Sequence, residues 1–206
     1  MKFEKGKIKA TNSKGTWTKK ENWSTEDEIY EFMYGLVRAV KPKLCLESGT
    51  FQGDGAIAIA EALRENANGG KLYTIDYKDF GTTDKLHQYE NMIVVRGTSP
   101  QVFQTLDLKG LDFVFLDSGH DFGQVMRELR AIDPIIEPSG YILVHDVLHS
   151  NWGEGASKAI QDFMDERPNQ YSYIYLTSYN GLGILQKIGY TENSNSFSTA
   201  EGGEAK

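Results

Sequence analysis

The stretch that decides the fold runs Leu46-Glu47-Ser48-Gly49-Thr50-Phe51-Gln52-Gly53-Asp54-Gly55. It leaves an apolar run, Lys43 to Ser48, passes through a turn with glycines at 49 and 53, and enters a helical pattern from Asp54 to Glu65. A strand that feeds a helix through a glycine-spaced turn is the unit from which ligand-binding α/β sheets are built. Gly49 predicts a tight turn whose backbone comes close to a ligand, and Gly53 predicts close packing of helix on strand, because a side chain would obstruct either.

Working outward, four more apolar runs follow: Leu72 to Asp76, Met92 to Arg96, Leu111 to Asp117 and Tyr141 to Asp146. Helical patterns separate them, clearest at Phe122 to Ile132 and weaker at Thr82 to Glu90 and Ser99 to Leu106, where Pro100 suits a first helical position. Near-continuous apolar strands alternating with helices predict a parallel sheet covered on both faces. Upstream, Thr25-Glu26-Asp27-Glu28 has the form of a capping box. Ile29, Phe32, Met33, Leu36, Val37 and Val40 then recur at helical spacing until Pro42 stops the pattern. Downstream, a helix near Ala156 to Glu166 precedes strands Tyr171 to Thr177 and Gly183 to Ile188, and the short link around Asn180-Gly181 predicts an antiparallel pair. The expected division is an N-terminal arm over 1–24, one α/β domain over 25–190 and a polar, disordered tail over 191–206.

Composition narrows the function classes. The chain's 206 residues suffice for one core without disulfides. With 22 basic against 29 acidic residues the net charge is -7, and the lysines of the N-terminal arm are interleaved with Thr, Asn and Gly, so no nucleic-acid partner is expected. The single Cys45, flanked by Leu44 and Leu46, reads as a buried reduced thiol and predicts a cytoplasmic protein. No run reaches the roughly 18 apolar residues of a membrane span, so no membrane partner is expected. The oligomeric state stays open, with a homodimer among the options.

Asp76 ends the second strand, where a carboxylate can accept both hydroxyls of a ribose bound across the crevice. A loop or capping aspartate is the competing reading. A glycine turn with an acidic second-strand end also describes NAD binders. Here the turn is Glu-x-Gly-x-x-x-Gly rather than Gly-x-Gly-x-x-Gly, and the charge of Glu47 suits a cationic amino-acid group better than a pyrophosphate.

Taken in order, Glu47-Ser-Gly49-Thr-Phe-Gln-Gly53, Asp76, Phe113-Val-Phe-Leu-Asp117-Ser-Gly-His120, Gly140-Tyr-Ile-Leu-Val-His145-Asp146 and Gly181-Leu-Gly-Ile-Leu-Gln-Lys187 resemble class I S-adenosylmethionine-dependent methyltransferases. The closest likeness is to the branch of macrolide-sugar O-methyltransferases and cephalosporin hydroxylase-like proteins, over Lys41 to Lys187. The resemblance implies a doubly wound, mostly parallel seven-stranded sheet with an antiparallel last strand. It implies S-adenosylmethionine as cofactor, held by Glu47, Gly49, Thr50, Phe51, Gly53, Asp76 and Asp117, and a small-molecule or sugar acceptor that is O-methylated. A hydroxylase-like or N-methylating relative and a non-catalytic cofactor-binding protein are the alternatives.

Asp117 and His120 follow the fourth strand, and His145, Asp146 and His149 follow the fifth. Carboxylates from adjacent strand ends can hold a hard cation such as Mg²⁺. In metal-dependent O-methyltransferases an aspartate after strand four and an acidic pair after strand five are ligands, and a histidine three residues beyond the first aspartate can be the base. Asp117 and Asp146 match the metal positions and His120 the base. His145 departs from that pattern, so it either ligates a softer ion or belongs to a metal-free site with Asp146 and His149 as substrate contacts. Tyr77, Trp152, Tyr179 and Asn180 are loop candidates for the acceptor pocket, and Trp17 and Trp23 either fold over the site or staple the first helix.

Overall fold

The computed structural model describes residues 24–148 and 155–189. Among the described residues six helices and seven strands alternate up to the final pair of strands: α1 (Asp27–Val40), β1 (Leu44–Ser48), α2 (Asp54–Asn66), β2 (Lys71–Asp76), α3 (Thr83–Leu86), β3 (Met92–Arg96), α4 (Gln101–Thr105), β4 (Leu111–Leu116), α5 (Phe122–Ile132), β5 (Ile136–His145), α6 (Gly155–Glu166), β6 (Tyr171–Leu176) and β7 (Leu182–Lys187). The strands form one sheet in the order β3-β2-β1-β4-β5-β7-β6. β1 to β5 pair in parallel, and β7 runs antiparallel to both β5 and β6. This is the doubly wound sheet with an inserted antiparallel last strand that the motifs imply.

Helices cover both faces because the strands are apolar on both. One apolar layer joins Met33 and Val37 of α1 and Ile59 and Leu63 of α2 to Phe113 and Phe115. The other joins Leu129 and Ile132 of α5 and Ile160 and Phe163 of α6 to Val114, Ile142 and Val144. Alternate residues of β4 therefore face opposite layers, as the two-residue strand period requires.

The strand order reverses between β1 and β4, and at that switch point the strand ends diverge and leave a crevice. The loops after β1, β2, β4 and β5 all open there. Among the described residues no helix is long and apolar enough to cross a membrane.

Several sequence expectations are corrected. The helix expected over Thr82 to Glu90 is only the four-residue α3, and α4 starts at Gln101, with Pro100 one position outside it. β5 begins at Ile136, and its pairing with β4 shifts register between Leu111 and Phe113. Thr25 to Glu28 is not a capping box: Glu26 is the N-cap and its side chain makes no cap hydrogen bond. The Thr25 and Glu26 side chains are spent elsewhere, on the crevice. The arm up to Trp23, with Trp17, and the segment holding His149 and Trp152 lie outside the described residues, as does the tail from Thr191.

Candidate active site

The crevice is a cavity of about 920 Å³ lined by every residue expected to hold the cofactor, metal or proton: Glu47, Gly49, Thr50, Phe51, Gly53, Asp76, Asp117, His120 and Asp146. The turn after β1 is built by backbone geometry. Gly49 sits at φ 98, and a Cβ there would lie 2.2 Å from the carbonyl oxygen of Asp117. The glycine is thus required by the close approach of the β1 and β4 ends rather than by a ligand. Gly53, at φ 82, is the left-handed N-cap of α2, and a Cβ there would meet only the flexible end of Leu86. The close contact between helix and strand falls at Gly55 instead, where a Cβ would lie 2.4 Å from Glu47 Oε1.

Asp76 is buried, and its Oδ2 accepts from the backbone N–H of Phe51 at 2.9 Å while Oδ1 accepts from that of Lys78 at 3.1 Å. The carboxylate therefore fixes the glycine turn. Each of its oxygens retains a second lone pair for a ligand hydroxyl. Glu47 is buried beneath the turn and accepts from the Thr74 hydroxyl, which also pairs with Thr50 Oγ1 at 2.6 Å. Burial pushes the Glu47 carboxyl up to about 8, with Thr74 pulling the other way and Asp117 adding to the rise.

After β4 and β5 lies a cluster of charges. His145 Nε2 is 2.7 Å from Glu26 Oε2, and its Nδ1 is 3.0 Å from Asp117 Oδ1 and 3.4 Å from Asp146 Oδ1. Ionised carboxylates only accept, so both ring nitrogens donate and His145 is an imidazolium. Burial works against that charge, but the facing Asp117, Glu26 and Asp146 override it and hold the ring well above the usual imidazole range. Its nitrogens are committed, which removes His145 as a metal ligand in this arrangement. Thr25 donates to Asp117 Oδ2 at 2.6 Å, and Glu26 Oε1 accepts from the backbone N–H of Asn180 at 2.8 Å.

His120 Nε2 lies 3.0 Å from Asp146 Oδ2. Burial depresses this imidazole, and the hydrogen bond it donates to Asp146 together with the charge of Asp117 more than reverses the effect, leaving its pKa raised. Asp146 takes φ 60, a left-handed conformation that L-residues other than Asn and Asp adopt only rarely. Its Oδ1 is buried with no hydrogen-bond partner among the described residues. Asp117, His120 and Asp146 each offer one ligand atom within 4.8 Å of the others. Two carboxylates and an imidazole fit a cation that takes both nitrogen and oxygen, and they differ from the all-oxygen set typical of Mg²⁺.

Thr25 and Glu26 are site residues that the sequence conceals, since the same letters spell a capping box. Tyr77, Tyr179 and Asn180 do line the cavity, and Tyr77 is 68% exposed at its mouth.

A doubly wound sheet of this strand order, with a glycine turn after β1, an acidic β2 end and an Asp-His cluster after β4 and β5, defines a class I methyltransferase. More particularly, a family model described as a methyltransferase domain matches residues 46–147, just under half of the chain, and over that stretch the chain is similar to that family. It is 24% identical over 165 residues to a rhamnosyl O-methyltransferase of Mycobacterium bovis, covering 73% of this chain and 66% of that protein. A rhamnosyl O-methyltransferase of Mycobacterium leprae is 22% identical over 198 residues, covering 88% of this chain and 81% of its own. Among solved structures, an O-methyltransferase of Streptomyces achromogenes involved in tomaymycin synthesis, in complex with S-adenosylmethionine, superposes with a TM-score of 0.68 at 16% identity, covering 82% of this chain and 83% of that one. An O-methyltransferase of Bacillus cereus bound to S-adenosylhomocysteine gives 0.67 at 17% identity, covering 80% and 82%.

Proposed function

We propose that the chain transfers the methyl group of S-adenosylmethionine to a hydroxyl of a small molecule, with a sugar the acceptor class that the rhamnosyl O-methyltransferase relatives favour. The observation that carries the reading is the His120–Asp146 pair opening into the same cavity as the Glu47–Asp76 turn. Glu47 would hold the cofactor's ammonium group, Asp76 its ribose hydroxyls, and Gly49, Thr50, Phe51 and Gly53 its chain. The acceptor oxygen attacks the methyl carbon as the sulfur–carbon bond breaks, and the hydroxyl proton passes to the His120 imidazole. Asp146 holds that ring in place, and Asp117 is neutralised by His145. A cytoplasmic location accords with the buried, unpaired thiol of Cys45.

Asp146 Oδ1 makes no hydrogen bond and has only the His145 ring at 3.4 Å, which favours a second reading, in which Asp117, His120 and Asp146 hold a divalent cation. Such an ion would lower the pKa of the acceptor hydroxyl. His120 is then a ligand rather than the base.

Both readings are tested by following release of S-adenosylhomocysteine across a panel of rhamnosides and other hydroxyl acceptors, with and without excess EDTA. Activity that survives EDTA selects the metal-free mechanism, and activity that vanishes and returns with added cation selects the second. A purified protein that binds NAD and not S-adenosylmethionine would overturn the function altogether.

A further inference from the structure

The two edges of the sheet are finished differently. At β3 the residues from Met92 to Val95 are buried or half-buried, α3 packs alongside, and a charge at Arg96 ends the strand. Edge strands are guarded in such ways because their free backbone groups otherwise pair with another extended chain. β6, at the opposite edge, reads Tyr171-Ser172-Tyr173-Ile174-Tyr175-Leu176. It has no charge and no proline, and its pairing with β7 runs without a bulge.

Register fixes which backbone groups of β6 are free. Tyr171 stands opposite Lys187, so Gln170 stands opposite Ile188, and the Ile188 N–H donates to the Gln170 carbonyl at 2.8 Å. In an antiparallel pair, directly opposed residues that exchange hydrogen bonds alternate with residues that do not. Ser172, Ile174 and Leu176 therefore turn their N–H and C=O groups to β7, while Tyr171, Tyr173 and Tyr175 turn theirs away from the sheet. Among the described residues no strand lies beyond them.

The side chains are bare on both faces of this edge. On the α1 face Ile174 is 62% exposed, although Ile184 opposite it on β7 is buried, and Ile188 just beyond β7 is exposed too. On the α6 face the Tyr173 and Tyr175 rings stack at 6.1 Å, and Tyr175 is 54% exposed.

We propose that β6 pairs antiparallel with β6 of a second copy of the chain about a two-fold axis, joining two seven-stranded sheets into one. Charge favours a second copy at this place. With a net charge of -7 the copies repel over most of their surface, and β6 is an uncharged stretch at which they can meet. The cations near its start, Arg167 and Lys187, are already held by Asp133, and antiparallel pairing sets that start against the uncharged far end of the other strand. A two-fold axis places each residue opposite itself or a near neighbour, and Tyr173, Ile174 and Tyr175 suit this, since aromatic and β-branched side chains stabilise facing strands. The chain's own segment 191–206 is a poor match, with Phe197 as its one large apolar residue and three glutamates.

The test is sedimentation equilibrium of the full chain over the micromolar range, where the wild type should be a dimer. Tyr173→Pro removes an N–H that β7 does not use and should raise the dimer Kd by about 30-fold or more. Ile174→Lys sets like charges across the axis and should do the same, which keeps the question answerable should Tyr173→Pro not fold. Hydrogen exchange of the wild type needs no variant: protection of the Tyr173 and Tyr175 amides should rise with protein concentration as the strands pair. A wild type that stays monomeric throughout the range overturns the proposal. So does a dimer that both substitutions leave unchanged, or one whose β6 amides gain no protection, since either puts the contact on another face.

Discussion

Asp146 uses its two oxygens differently: Oδ2 holds His120 at 3.0 Å, and Oδ1 has no hydrogen bond among the described residues. If His120 is the base, its raised pKa places the acid limb of the kcat profile above pH 6.5, with turnover rising as the ring loses its proton. Asp146→Asn should lower turnover by about 10² and move that limb to lower pH, because the partner that stabilises the protonated ring is gone. A limb that stays in place would assign it to another group. Glu47 titrates in the opposite functional sense. Its folded pKa of about 8 lies above its ordinary 4.5, so the folded chain holds a proton that the unfolded chain has shed between those values. This contribution to stability is present below pH 4.5 and is lost as pH rises through about 8. Binding a cationic cofactor should expel the proton, so S-adenosylmethionine affinity rises toward pH 8, and calorimetry in two buffers of different ionisation enthalpy should register proton release below that pH. Glu47→Gln should abolish the release.

At the scale of elements, the site depends on how closely two strand ends approach and on where one helix begins. The β1 and β4 ends meet through Gly49, whose absent Cβ leaves room for the Asp117 carbonyl. Gly49→Ala adds both a clash and a left-handed penalty, and a loss of about 3 kcal/mol in urea unfolding is expected, with cofactor binding impaired in whatever folds. Little change would mean that β4 yields easily. The start of α1 plugs the cluster from the other side. Glu26→Ala leaves the buried imidazolium of His145 short of one carboxylate, which costs about 3 kcal/mol in stability. The same change in a true capping box, on an exposed helix end, costs about 1 kcal/mol. Thermal unfolding of the variant separates the two roles of that residue.

For the whole molecule, the crevice at the switch point couples ligand binding to stability, since it is formed from the ends of strands that exist only in the folded sheet. S-adenosylmethionine at 100 times its Kd should stabilise the chain by about 2.7 kcal/mol and raise Tm by about 5–10 °C, while NAD leaves it unmoved. The sequence by itself determined the sheet: apolar runs, glycine turns and helical spacing are local signals, and they located all seven strands and the long helices close to their observed places, while the residues from Glu47 to Asp117 expected to hold the cofactor all line one cavity. It also placed Asp117, His120 and Asp146 together, because neighbouring parallel strands end side by side. Only the tertiary structure decided the partners. Thr25 and Glu26 meet Asp117 and His145 across 92 and 119 positions of chain, and no local pattern encodes a contact at that range. Glu128 falls on the apolar stripe of Val125, Leu129 and Ile132, but the three serines around it come from the end of β1 and from the loops after β3 and β4, which no local pattern links to it. The charge of His145 and the neutral tendency of Glu47 follow from burial and from facing groups, and burial is a property of the packed molecule rather than of the chain.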